Sequence, residues 1–150
     1  MVEDTCLDIL VVDDEVEIAN VIAEFLRGEG YTVEVAYDGA SALAYARRLW
    51  PRVLITDVRM PRMDGYELAA RVRQSIDDIH AIFISAISQA LPPPPFGVLL
   101  AKPFNFDTLL DLVQQALPRP MDDAGDRYAA WSGRFSEFSS HGVEASRVMA

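Results

Sequence analysis

The sequence predicts an α/β fold built on a parallel sheet. Two observations carry this expectation. Short apolar runs alternate with helical stripes along the first 117 residues, and most of the runs are continuously apolar. Strands buried on both faces read that way, and strand–helix alternation implies right-handed crossovers. With 150 residues, 51% of them hydrophobic and 24% charged, the chain has the balance of a globular domain able to bury a core.

The strand candidates are Leu7–Val12, Thr32–Val35, Val53–Thr56, Ala81–Ile84 and Val98–Leu100. Thr32-Val33-Glu34-Val35 alternates where the others do not, which predicts an edge strand. Between strands, Ile18, Val21, Ile22, Phe25 and Leu26 follow helical spacing, with Gly28 and Gly30 available to end that helix. Ala42, Leu43, Ala46, Leu49 and Trp50 form a second stripe, stopped by Pro51. Asp64 is a candidate N-cap for a helix carrying Leu68 and Val72. Asn105 is a candidate cap for a last helix with Leu109, Leu112, Val113 and Ala116. One link breaks the pattern. From Ser88 to Phe96 it holds four consecutive prolines, which exclude a helix interior, so the fourth crossover helix is expected to be shortened or missing.

The domain is expected to occupy residues 1–117. Residues 118–150 read as a tail, in which Asp122–Gly125 is a linker and Tyr128, Trp131, Phe135 and Phe138 share one helical face. Net charge is −10, which argues against direct contact with nucleic acid. No apolar run is long enough for membrane insertion, and the acidic N-terminus lacks the order of a secretory signal. A single cysteine, Cys6, permits no internal disulfide, so a cytoplasmic setting is expected. His80 precedes a strand and His141 stands alone in the tail, so neither reads as a phosphate carrier or a metal ligand.

The chemistry lies where the strands end. Ligands of open parallel sheets bind beyond the carboxyl ends of the strands. Those ends deliver Asp13 and Asp14, then Asp57, then Ser85, then Lys102. Clustered carboxylates repel, and a hard cation such as Mg²⁺, bound through oxygen, offsets that repulsion. An aspartate held there can act as a nucleophile toward a phosphoryl group. Lys102 is the only lysine, and every other cationic side chain is arginine. A compact ammonium suits a small oxyanion site that a guanidinium would crowd.

Four segments, Val11–Glu15, Ile55–Gly65, Ser85-Ala86 and Lys102–Phe104, resemble the receiver domain of two-component response regulators. The resemblance covers about residues 6–117 and implies a flavodoxin-like sheet of order 2-1-3-4-5. It implies Asp57 as phosphoacceptor, supplied by a sensor histidine kinase or a histidine phosphotransfer protein, with output through protein contacts. It further implies Mg²⁺ held by Asp14, Asp57 and the backbone carbonyl of Arg59, with Asp13 acting through water. Ser85 and Lys102 would hold phosphoryl oxygens, and Arg59 and Ile87 would tune phosphoryl lifetime. This sequence departs from the family where Leu99 replaces the usual aromatic three residues before the lysine.

Three rivals are weaker. A haloacid-dehalogenase-type phosphatase needs an acidic residue two positions after the nucleophile, where Arg59 stands. A dinucleotide enzyme wants a glycine-rich turn after the first strand, where Asp13-Asp14-Glu15 stands. A receiver-like binding module acting without phosphorylation would suit Leu99, but it gives no reason to keep repelling carboxylates. The expectation is therefore a phosphoacceptor whose only catalysis is its own phosphorylation and dephosphorylation.

Overall fold

The structure, a computed structural model, describes residues 7–86, 95–117 and 148–149. The chain divides into two compact units, Met1–Lys102 and Pro103–Ala150.

The first unit holds strands β1 (Ile9–Val12), β2 (Val33–Ala36), β3 (Val53–Asp57), β4 (His80–Ala86) and β5 (Gly97–Lys102). Helices α1 (Val16–Gly28), α2 (Gly39–Leu49) and α3 (Gly65–Ser75) connect the first four. All pairings are parallel, in the order β2-β1-β3-β4-β5. The α/β expectation and the strand order therefore hold. The alternating strand is an edge, as expected, while β1 and β3 are buried along their full length.

One side of the sheet buries Leu10, Val12, Leu54 and Phe83 against Leu43 and Ala46 of α2 and Leu68 and Val72 of α3. Each of the leucine, valine and phenylalanine side chains contributes about 1.5–3 kcal/mol on leaving water. That packing fixes the register, and a one-residue slip would turn every apolar side chain to the wrong face. Register in turn decides which residues meet at the strand ends.

Helix ends follow local chemistry. The Asp64 carboxylate accepts from Glu67 N at 2.8 Å, so the predicted cap is present. A second cap, Asp38 accepting from Ser41 N at 2.7 Å, starts α2. Trp50 departs from the expected stripe. It lies past α2 with φ 51 in the left-handed region, and it is 47% exposed rather than packed.

The second unit holds β6 (Phe104–Asn105), α4 (Phe106–Ala116) and β7 (Val148–Met149), with β6 and β7 antiparallel. Asn105 caps α4 as predicted, accepting from Thr108 N at 2.9 Å. Among the described residues no helix joins β4 to β5, and none is long and apolar enough to cross a membrane. Most of the proline link, with Ile87, lies outside the described residues, as do Cys6, the tail's aromatic stripe and His141.

Candidate functional site

Every residue of the predicted constellation lies in the first unit. β1 ends at Val12, paired with Thr56 of β3, so the next residues of the two strands, Asp13 and Asp57, emerge at one edge. Asp57 closes β3 and is 8% exposed, while Asp13 is 1% exposed. Asp13, Asp14 and Asp57 each present a carboxylate oxygen, and these oxygens lie within 4.8 Å of one another. Lys102, the last residue of β5, places Nζ 3.9 Å from Asp57 Oδ2. The Arg59 backbone N–H donates to Asp57 Oδ1 at 3.4 Å, a long bond.

Ser85 is buried on β4, one residue before Ala86, the register partner of Lys102. Its hydroxyl donates to the Ala86 carbonyl at 3.1 Å. The structure thus brings the three carboxylates and the ammonium together and places Ser85 on the adjacent strand with its hydroxyl engaged locally. Leu99 is partly buried and packs with the α2–α3 side of the core, in register with Phe83.

Electrostatics shows what the cluster lacks. Burial pushes the Asp13 carboxyl up from its ordinary 3.8 to about 6, and the charges of Asp57 and Asp14 add to the rise. The Glu15 backbone N–H, 2.9 Å from Asp13 Oδ1, and the charge of Lys102 oppose it. Asp57 is also raised, again by burial first, with Lys102 as the main opposing charge. Asp13 Oδ2 is buried and has no hydrogen-bond partner among the described residues. A buried anionic oxygen without a donor is costly. Two desolvated carboxyls, one orphaned oxygen and an oxygen-only donor set are what a hard divalent cation satisfies. The residues present fit Mg²⁺.

Gly65, which entered above only as the end of a matching segment, contributes to the site's frame. A Cβ on Gly65 would strike the Asp57 carbonyl oxygen and come within 3.0 Å of Val58 Cα, while Gly65 N donates to Val58 O at 2.8 Å. The loop after Asp57 therefore folds back onto the strand that presents the carboxylate, and only glycine allows that approach. A cavity of about 400 Å³ lies elsewhere, lined by Asp38, Ser41, Arg62, Met63 and Arg71 among others. None of the acidic trio lines it, so chemistry and not volume marks the site.

Residues 9–114 match the family model for the response regulator receiver domain. The chain belongs to this family. An uncharacterised 14.6 kDa protein of Leptolyngbya boryana is 38% identical over 116 residues, covering 73% of this chain and 88% of that protein. The transcriptional regulatory protein ZraR of Salmonella typhimurium is 32% identical over 139 residues, covering 89% of this chain. The chain spans only 32% of ZraR, so that protein's activity as a whole does not transfer. Among solved structures, the response regulator TrrA of Thermotoga maritima, in complex with Mg²⁺ and BeF, is 31% identical with a TM-score of 0.67. The match covers 74% of this chain and 99% of TrrA. The chain is thus a receiver domain of two-component signalling with an acidic pocket at Asp13, Asp14 and Asp57.

Proposed function

We propose that this receiver accepts a phosphoryl group on Asp57 from a sensor histidine kinase or a histidine phosphotransfer protein, and signals by protein contact from the cytoplasm. The observation that carries the reading is the Asp57 carboxylate, set between the Lys102 ammonium at 3.9 Å and two further carboxylates. A lone structural ion pair would need no such company. We take residues 1–117 as the receiver and 118–150 as a tail.

A carboxylate oxygen of Asp57 attacks the phosphorus of the donor phosphohistidine. The P–N bond breaks, its electron pair returns to the imidazole nitrogen, and an acyl phosphate forms on Asp57. Lys102 meets the charge on the transferring oxygens, and Ser85 supplies a hydroxyl donor once it turns from Ala86 O. Asp14, Asp57 and the Arg59 carbonyl would hold Mg²⁺, with Asp13 reaching it through water. The cation, when bound, screens the carboxylates from one another and from the incoming phosphoryl oxygens. TrrA in complex with Mg²⁺ and BeF supports this assignment.

Leu99 favours a second reading, a receiver fold that binds a partner without phosphorylation. Intact mass decides between them. With Mg²⁺ and acetyl phosphate the chain is expected to gain one phosphoryl group, and Asp57→Asn to gain none. A wild-type chain that binds Mg²⁺ yet stays unmodified makes the second reading the better one.

A further inference from the structure

The pole of the first unit opposite the acidic pocket carries Asp8, Asp77 and Asp78, but one segment there has a different signature. Asp57 ends β3, and the segment entering β3 reads Arg47-Arg48-Leu49-Trp50-Pro51-Arg52, without one acidic residue in a chain of net charge −10. The arginines are exposed. Among the described residues no carboxylate lies within ion-pair distance of any of them. Arg48 sits 5.4 Å from the centre of the Tyr45 ring, a cation–π contact that holds one guanidinium over an aromatic base.

Trp50 stands in the middle. Its φ of 51 is a conformation that favours glycine, and 47% of its surface faces solvent. A bulky side chain there gains little core burial in return for an unfavourable backbone. Helix-terminal arginines alone have an ordinary explanation in the helix dipole, which covers Arg47 and Arg48. It covers neither Arg52, which lies beyond the helix, nor Trp50.

We propose that Tyr45, Arg47, Arg48, Trp50 and Arg52 form a docking surface for an acidic segment of a partner protein, with Trp50 as its apolar anchor. Tryptophan and arginine are the residues enriched at the energetic centres of protein interfaces. Charge complementarity selects the partner, because three guanidiniums with no ion-pair partner among the described residues recognise carboxylates at bidentate geometry. A polyphosphate offers no apolar contact for the Trp50 side chain, 47% of whose surface faces solvent, whereas a peptide segment does. Patch and acceptor lie at opposite ends of β3, so docking leaves Asp57 open. The inference does not depend on the acceptor chemistry.

The test uses the full chain and a fluorescein-labelled peptide of glutamates around a central leucine pair, read by anisotropy. Saturable binding is expected, weakening steeply as salt rises. Arg47→Gln with Arg48→Gln, and separately Trp50→Gly, should each weaken it by about tenfold or more. Glycine accepts the φ at position 50, so Trp50→Gly keeps its fold, which circular dichroism verifies. Binding should survive Asp57→Asn, and acetyl phosphate should modify the patch variants like wild type, so the two readings fail independently. Absent binding, or equal affinity in the variants, overturns the proposal. Tighter binding of duplex DNA than of the peptide, lost in the same variants, overturns it in favour of a nucleic-acid surface.

Discussion

Asp13 offers a direct measurement of what the pocket costs the fold. Its carboxyl rises from 3.8 in an ordinary setting to about 6 here, because burial disfavours the charged form. A carboxyl of this kind stabilises the fold while protonated, and that contribution fades as pH climbs through the window from 3.8 to about 6. The gap corresponds to about 3 kcal/mol, a large share of a small domain's stability. Asp13→Asn retains an oxygen for the Glu15 N–H but carries no charge at any pH. Urea unfolding of both proteins in EDTA, from pH 4 to 8 in steps, gives stability curves whose difference reports Asp13 and its coupling to the neighbouring carboxylates. Asp38 is common to both proteins and cancels, while Asp14 and Asp57, whose charges act on Asp13, contribute a smaller coupled part of the difference. Relative to the variant, wild type should lose up to about 3 kcal/mol across the window and then level off. Saturating Mg²⁺ near neutral pH should return much of that loss, and its effect should shrink in acid as protons compete for the carboxylates. A flat difference curve in EDTA, or one that rises with pH, would refute the account of a desolvated carboxyl awaiting a cation.

Two further perturbations test the frame around Asp57. Gly65→Ala places a Cβ against the Asp57 carbonyl oxygen and at 3.0 Å from Val58 Cα. It should destabilise by about 1–3 kcal/mol in urea titration and lower acetyl-phosphate uptake, and wild-type values for both would contradict the forced close approach. Lys102→Met removes the main charge that holds the Asp57 carboxyl down. Carboxyl carbon resonances should then show Asp57 titrating at higher pH, with slower phosphoryl uptake, and Lys102→Arg should not restore the rate.

The sheet and the acidic pocket were legible because both follow from short-range pattern. Continuous apolar runs mark strands covered on both faces, and the residue after each run lands at the binding edge whatever the loops do. Ser85 shows where this stops. Its place on β4 follows from the run of Ala81–Ile84, yet nothing in the sequence states that its hydroxyl donates to Ala86 O. Trp50 shows a second limit. Helical spacing carries Ala42, Leu43 and Ala46 into the core correctly, but periodicity cannot see the left-handed turn that lifts Trp50 off the stripe. Gly65 is a third case, since its role is set by a carbonyl eight residues earlier, across a loop that periodicity does not describe.

On the acceptor reading, the Ser85 hydroxyl is the part that must move. Its bond to the Ala86 carbonyl, at 3.1 Å, contributes a net of about 0.5–1.5 kcal/mol. A charge-assisted bond to a phosphoryl oxygen is worth roughly 1.5–3 kcal/mol, so the exchange favours the turned state by about 1 kcal/mol, several-fold in population. That bias is modest. Leu99 has no hydroxyl that would add a polar contact to either state, and it already packs with the core in register with Phe83. The pocket sets the opposing contribution, because an acyl phosphate on Asp57 adds negative charge beside carboxyls that burial already disfavours, and Lys102 together with a bound cation would offset it. On that reading the Ser85 hydroxyl carries a small share of the switch, and the Lys102 ammonium, 3.9 Å from Asp57 Oδ2, would carry a larger one.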